Sequence, residues 1–207
     1  VTGETSPKGD EELLAAWRSG DSRAGEELFE RHYAAMARFF ANKAGDEGPD
    51  LTQRAFLALL EGKDRFRADS SFRTYLFGIA RNVLYKHLRS KVRHGPFDAL
   101  RTSVRDLGPS PTAVLAKRRQ DQLLLDALRG LPIELQVILE LHYWEDLPGP
   151  ALAGVLEIPE GTARTRLRKA KAVLAEAIPA DARRRAVDGV DSDFEPWVRS
   201  LRDLVTL

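Results

Sequence analysis

The sequence predicts an all-α fold: two small helical domains joined by a flexible linker, the second containing a helix-turn-helix. Three observations predict it. Apolar residues recur at three- and four-residue spacing along most of the 207 residues, and no strand-like alternation stands out. That periodicity collapses between His94 and Thr112, where Gly95-Pro96, Gly108-Pro109 and Ser110-Pro111 punctuate a weakly apolar stretch. Leu147 to Leu174 reads as a short apolar helix, a tight turn and a second helix with one basic face.

Asp10 opens a short helix carrying Leu13, Leu14 and Trp17, which ends at Ser19-Gly20. Asp21 can cap the next helix, whose stripe is Leu28, Phe29, Tyr33, Met36, Phe39 and Phe40. Gly45 to Pro49 is a break. Asp50-Leu51-Thr52-Gln53 has the form of a capping box ahead of Ala55, Phe56, Leu59 and Leu60. A polar loop, Arg65 to Ser71, leads into a long helix with Phe72, Leu76, Ile79, Val83, Leu84 and Leu88 inside. Periodicity returns over Val114 to Leu128 and over Ile133 to Tyr143, behind Pro132. The expected division is 1–93, a linker at 94–112, a second domain at 113–178 and an extension at 179–207.

In the helix-turn-helix, Leu152, Val155 and Leu156 of the first helix face a stripe of Ala163, Leu167, Ala170, Leu174 and Ile178. Arg164, Thr165, Arg168 and Lys171 fall off that stripe. A helix anchored on one side and cationic on the other suits a major groove, where Arg and Lys reach phosphates and guanine edges. A solvated basic helix is the blander alternative.

Composition narrows the choices. Hydrophobic residues at 43% and charged residues at 30% are ordinary for a soluble helical protein. No apolar run approaches the roughly 18 residues of a membrane span, and the polar N-terminal stretch lacks a signal-peptide core. With no cysteine there is no disulfide framework or thiolate metal site, which agrees with a reducing cytoplasm. The four histidines show no paired metal spacing, so each is expected at a surface or boundary, and neither metal nor cofactor is expected. Most carboxylates are expected on exposed helix faces.

The net charge of +1 hides segregation. Arg81, Lys86, Arg89, Lys91 and Arg93 form one basic block, Arg164 to Lys171 another, and acids gather near both ends. Two basic blocks on separate predicted helices favour a polyanion touched at two places.

The strings DLTQRAFLALL, DRFRADSSFRTYLFGIARN and LEIPEGTARTRLRKAKAVL, in this order, resemble the extracytoplasmic-function sigma factors of bacterial RNA polymerase. The likeness runs from about Asp10 to Ile178. It implies a non-catalytic subunit that binds core RNA polymerase, reads the −35 element of double-stranded promoter DNA and opens the −10 element. It also implies an anti-sigma partner.

Carried onto this sequence, the resemblance places Phe66 to Phe72 and the following helix at the melted strand. Asp69, Ser70, Ser71 and Asn82 would bind a base edge, and Arg67, Arg73 and Arg81 would hold phosphates. Phe66, Phe72 and Tyr75 are the aromatics placed to stack on bases, but Phe72 is expected in the core instead, and Tyr75 is open to either role. Trapping unpaired bases offsets a melting cost of roughly 1.4 kcal/mol per stacking step. Asp50, Leu51, Gln53 and Arg54 fall on the polymerase-docking helix, where Arg54 replaces a common acid. In the second domain Arg164, Thr165, Arg168 and Lys169 would face the groove, with Arg166 and Lys171 on backbone phosphate. Glu157 stands where the family often has a small residue or Gly in the turn. A left-handed Glu costs on the order of 1 kcal/mol, so a different turn geometry is expected.

The extension carries an amphipathic stripe of Phe194, Trp197, Val198, Leu201, Leu204 and Val205. It either packs back on the second domain or masks a working surface. The competing functions are a stand-alone helix-turn-helix regulator acting without polymerase, a helical nuclease or recombinase, and an adaptor for acidic proteins.

Overall fold

The computed structural model describes residues 8–66, 69–92, 95–107, 119–179 and 195–205. Among these there is no strand, and the secondary structure is helical apart from one isolated bridge, Ser103 to Pro132. The first domain comprises α1 (Asp10–Arg18), α2 (Ser22–Ala44), α3 (Gly48–Gly62) and α4 (Phe72–Lys91). The second comprises α5 (Arg119–Gly130), α6 (Ile133–Tyr143), α7 (Gly149–Leu156) and α8 (Glu160–Ala177), followed by α9 (Glu195–Ser200) in the extension.

Local chemistry sets the boundaries. The Asp21 carboxylate accepts from the Arg23 N–H at 3.1 Å and caps α2. α1 and α2 meet at Gly25, where a side-chain carbon would lie 2.6 Å from the Trp17 indole nitrogen, so only Gly permits the approach. The break after α2 is a single 3-10 turn, Gly45–Glu47. The expected capping box at Asp50 is absent. α3 starts earlier, at Gly48 with Pro49 in its first turn, and the Thr52 hydroxyl donates to the Gly48 carbonyl at 2.9 Å.

Leu28, Met36, Phe39, Phe40, Ala55, Leu59, Phe72, Leu76, Leu84 and Leu88 are buried as the periodicity requires. Tyr33 and Leu60 are not: both are exposed, and Leu57 joins them on the outer side of α2 and α3. Ile79 and Val83 are half-buried, while Phe77 and Ala80 take the fully buried positions in α4.

The stretch expected as a free linker is partly a strap. The N–H groups of Ile133 and Glu134 donate to the carbonyls of Thr102 and Ala99 at 2.9 and 3.0 Å. Phe97 packs on Tyr85 of α4 with ring centroids 5.7 Å apart. Residues 95–107 thus touch both domains, while 108–118 lie outside the described residues, as does the start of the helix expected from Val114. The domains themselves are docked. α7 lies along α4, and the buried side chains of both halves form one continuous apolar cluster.

The described end of the extension, residues 195–205, packs onto the second domain. Trp197, Val198, Leu201 and Val205 are buried, and Phe194 lies outside the described residues.

Candidate nucleic-acid interface

The helix-turn-helix is assembled around small residues. Leu152, Val155 and Leu156 of α7 and Ala163, Ala170 and Leu174 of α8 are buried, with Leu167 half-buried and Ile178 buried behind them. Between the helices the chain reverses at Glu157, with φ 56° and ψ 43°. This corrects the expected alternative turn. Glu157 adopts the left-handed conformation that ends many helices, its N–H donating to the Gly154 carbonyl at 3.3 Å, and the Ile158 N–H reaches the Ala153 carbonyl at 3.1 Å.

Arg164, Thr165, Arg168 and Lys169 are exposed together on α8, opposite the buried stripe. Arg164 pairs with Glu160 one turn earlier at 2.9 Å, a weak solvent-exposed contact. Among the described residues Arg168 and Lys169 make no ion pair. Arg166 and Lys171 differ: both are half-buried, Arg166 held by Glu134 and Lys171 by Glu195 of the extension. The Lys171 ammonium also lies 5.2 Å from the Tyr143 ring centroid, and it holds the Glu195 carboxyl below the usual carboxylate range.

In the first domain, Ser71 caps α4, accepting from the Thr74 N–H at 3.2 Å. Asp69 and Ser70 are exposed beside it, and Arg67 lies outside the described residues. Two of the three candidate stacking rings belong to the core. Phe72 is fully buried, and Phe66 is buried against it and against Tyr75, at centroid distances of 6.5 and 5.1 Å. The half-buried Tyr75 donates its hydroxyl to the Gly62 carbonyl at 2.9 Å. Arg18, which no motif marked, fastens this loop from below, donating to the Lys63 and Phe66 carbonyls.

Arg73 and Arg81 already hold anions. Arg73 Nη2 lies 2.7 Å from Glu145 Oε2, and the buried Arg81 places Nη2 2.8 Å from Glu157 Oε2. Arg81 also donates to Asn82 Oδ1 at 2.8 Å, with Asn82 exposed. Glu145 takes a second guanidinium, Arg38 Nε at 2.7 Å. Beside this cluster Lys43 and Asn42 of α2 converge on Glu140 of α6. Glu140 and Glu145 are both buried, exceptions among carboxylates that otherwise lie mostly on exposed helix faces as expected. Burial pushes the Lys43 ammonium below its ordinary value against the opposing pull of Glu140.

Asp50, Gln53 and Arg54 are exposed on α3, where Arg54 pairs with Asp50 at 2.7 Å. Leu51 is instead buried in the core and presents nothing to a partner. Asp50 and Gln53 border a surface cleft of about 880 Å³ formed with Phe29, Tyr33, Pro49 and Phe56. His32 is likewise buried rather than at a boundary, its Nε2 2.7 Å from Asp10 Oδ2. Among the described residues no His, Asp and Glu cluster is arranged to hold a metal ion, and no helix is long and apolar enough to cross a membrane.

Comparison with known proteins agrees with this architecture. Residues 28–94 match the family model for Sigma-70 region 2, and residues 121–174 match that for Sigma-70, region 4. The ECF RNA polymerase sigma-E factor of Escherichia coli K12 is 27% identical over 173 residues, covering 78% of this chain and 90% of its own length. The corresponding protein of Haemophilus influenzae is 24% identical over 180 residues, covering 82% and 95%. Among solved structures, CnrH in complex with the cytosolic domain of CnrY aligns with a TM-score of 0.58 at 24% identity, covering 81% of this chain and 95% of CnrH. The sigma factor RpoE of Bartonella quintana, solved with the anti-sigma factor NepR, aligns at 0.56 with 19% identity, covering 73% and 94%.

Two helical domains matching regions 2 and 4 define a sigma factor of the Sigma-70 class. Within that class the chain belongs to the extracytoplasmic-function (ECF) sigma factors.

Proposed function

We propose that this chain binds core RNA polymerase in the cytoplasm and directs promoter-specific initiation. In this reading α8 reads the −35 element, with Arg164, Thr165, Arg168 and Lys169 toward the groove and Arg166 and Lys171 toward backbone phosphate. The loop before α4 and α4 itself hold the melted −10 strand through Asp69, Ser70, Ser71, Arg73, Tyr75, Arg81 and Asn82. The exposed faces of α2 and α3 dock on polymerase around the cleft bordered by Asp50 and Gln53. The observation that carries the reading is the division of α8: Ala163, Ala170 and Leu174 are buried on one side while four polar or cationic residues stand exposed on the other. The exposed Tyr33, Leu57 and Leu60 support docking, because large apolar groups grouped on one outer surface mark an interaction site. The Bartonella neighbour's complex with its anti-sigma factor supports a partner of that kind here.

Run-off transcription tests the proposal, using purified bacterial core polymerase with and without this protein on a library of upstream regions. Specific initiation that depends on the protein is the expected result. Core polymerase that responds to another sigma factor but not to this chain would move the stand-alone regulator ahead.

A further inference from the structure

We propose that in the free protein the second domain acts as an internal phosphate mimic, its carboxylates occupying the arginines of α4 and holding the domains closed. This rests on the reading above, which gives Arg73 and Arg81 to the melted strand. Both side chains are engaged in the closed form. Glu145 presents one oxygen to Arg38 Nε and the other to Arg73 Nη2, each at 2.7 Å, so that one anion bridges two guanidiniums as a phosphate does. Glu157 meets Arg81 at 2.8 Å, and Glu140 takes Lys43 and Asn42. Three carboxylates of the second domain therefore face four cations of the first.

The chemistry of this seam suits a contact that opens. A permanent interface is stabilised as well or better by apolar side chains, because desolvating ion pairs offsets much of their attraction. Charges that separate into water recover their hydration. The seam is also imperfectly satisfied: Asn42 Oδ1 and Gln136 Oε1 are buried there without a hydrogen-bond partner. Strand binding at Arg73 and Arg81 and closure cannot coexist at those atoms, so each opposes the other. Docking on polymerase, or a competing polyanion, would shift the balance toward the open form.

The close approach of α7 to α4 supplies a way to pry the seam apart. A side-chain carbon on Gly154 would lie 2.8 Å from Thr74 Cγ2, and the Thr74 hydroxyl is itself 2.9 Å from Ser71 Oγ, which restrains it. Gly154→Ala therefore inserts a methyl between the domains, while Ala favours the α7 helix itself. Glu145→Gln is the second variant, removing the bridging charge at constant shape.

The natural absence of cysteine allows dyes to be placed through Arg23→Cys and Glu176→Cys, at exposed positions on α2 and α8. Energy transfer reports closure in the full chain, circular dichroism confirms the folded state, and binding of a randomised single-stranded DNA 20-mer is measured at the same salt. We expect high transfer in the unsubstituted protein, reduced transfer in both variants, and binding about tenfold tighter in the variants, as when a closed form takes up about nine-tenths of the population. Low transfer in the unsubstituted protein overturns the inference. So does unchanged transfer in both variants, or opening with unchanged DNA affinity. Opening with no single-strand binding by any form at low salt overturns the assignment of α4 to DNA, and the inference with it, while leaving closure itself established.

Discussion

The indole N–H of Trp144 donates to the Val198 carbonyl at 2.8 Å, joining the end of α6 to the C-terminal extension across 54 positions of sequence. A second indole closes the same seam from the other side, Trp197 Nε1 donating to Asp121 Oδ1 at 3.1 Å. Of the two roles open to the extension, these bonds and the burial of Val198, Leu201 and Val205 favour packing. Leu201→Ala should cost about 2–5 kcal/mol in chemical denaturation followed by tryptophan fluorescence. Removal of residues after Ile178 should lower the melting temperature of the second domain. A truncated protein that melts normally and gives more transcript would favour masking instead.

Arg168 is exposed on α8 and makes no ion pair among the described residues, so none of their carboxylates would compete with DNA for it under the proposed function. Arg168→Ala should weaken binding to a cognate −35 sequence by about 1–3 kcal/mol and relax preference at one base pair. Equal losses on cognate and unrelated duplexes, read by fluorescence anisotropy, would reduce its role to phosphate contact.

Three histidines share one direction of shift. Burial lowers the pKa of His32, His87 and His142, outweighing the nearby Asp10 for His32 and Glu47 for His87. Their folded values thus lie below the unfolded value near 6.5. As pH falls through about 6.5 the unfolded chain takes up these protons first, so their contribution is full above that pH and declines below it. The urea midpoint should fall between pH 7.5 and 5.5. His32→Gln should show a shallower fall; a midpoint independent of pH over this range would contradict the shifts.

Helix positions and the inner side of α8 were legible because a buried stripe imposes a spacing that composition cannot disguise. Leu13, Leu14, Leu28, Phe40, Ala163 and Leu174 all obey it. The interdomain seam was not legible. Arg38, Lys43, Glu140 and Glu145 look like residues of solvated helix faces, and nothing in local periodicity distinguishes a charge facing water from one facing its partner a hundred residues away. Tyr33 and Leu60 failed in the opposite sense, since a stripe wide enough for the core also takes in apolar residues reserved for the surface. The start of α3 was misplaced because Asp50 to Gln53 matched a cap pattern, while Pro49 had already set the first turn.

Glu157 combines two effects that substitution can separate. Its left-handed backbone disfavours any residue with a side-chain carbon, whereas its carboxylate reaches Arg81 from a position that is 68% exposed. Solvent screening makes that pair weak on the Glu157 side, worth about 0–1 kcal/mol. Glu157→Gln removes the charge and keeps the strain; Glu157→Gly removes both. The Gly variant should therefore be more stable than the Gln variant by about 0.5–1 kcal/mol, the left-handed penalty less the added freedom of an unfolded glycine. Paired denaturation curves at neutral pH measure that difference directly. A Gln variant as stable as the Gly variant would mean that the surrounding turn, not the residue at 157, sets the cost of the reversal between α7 and α8.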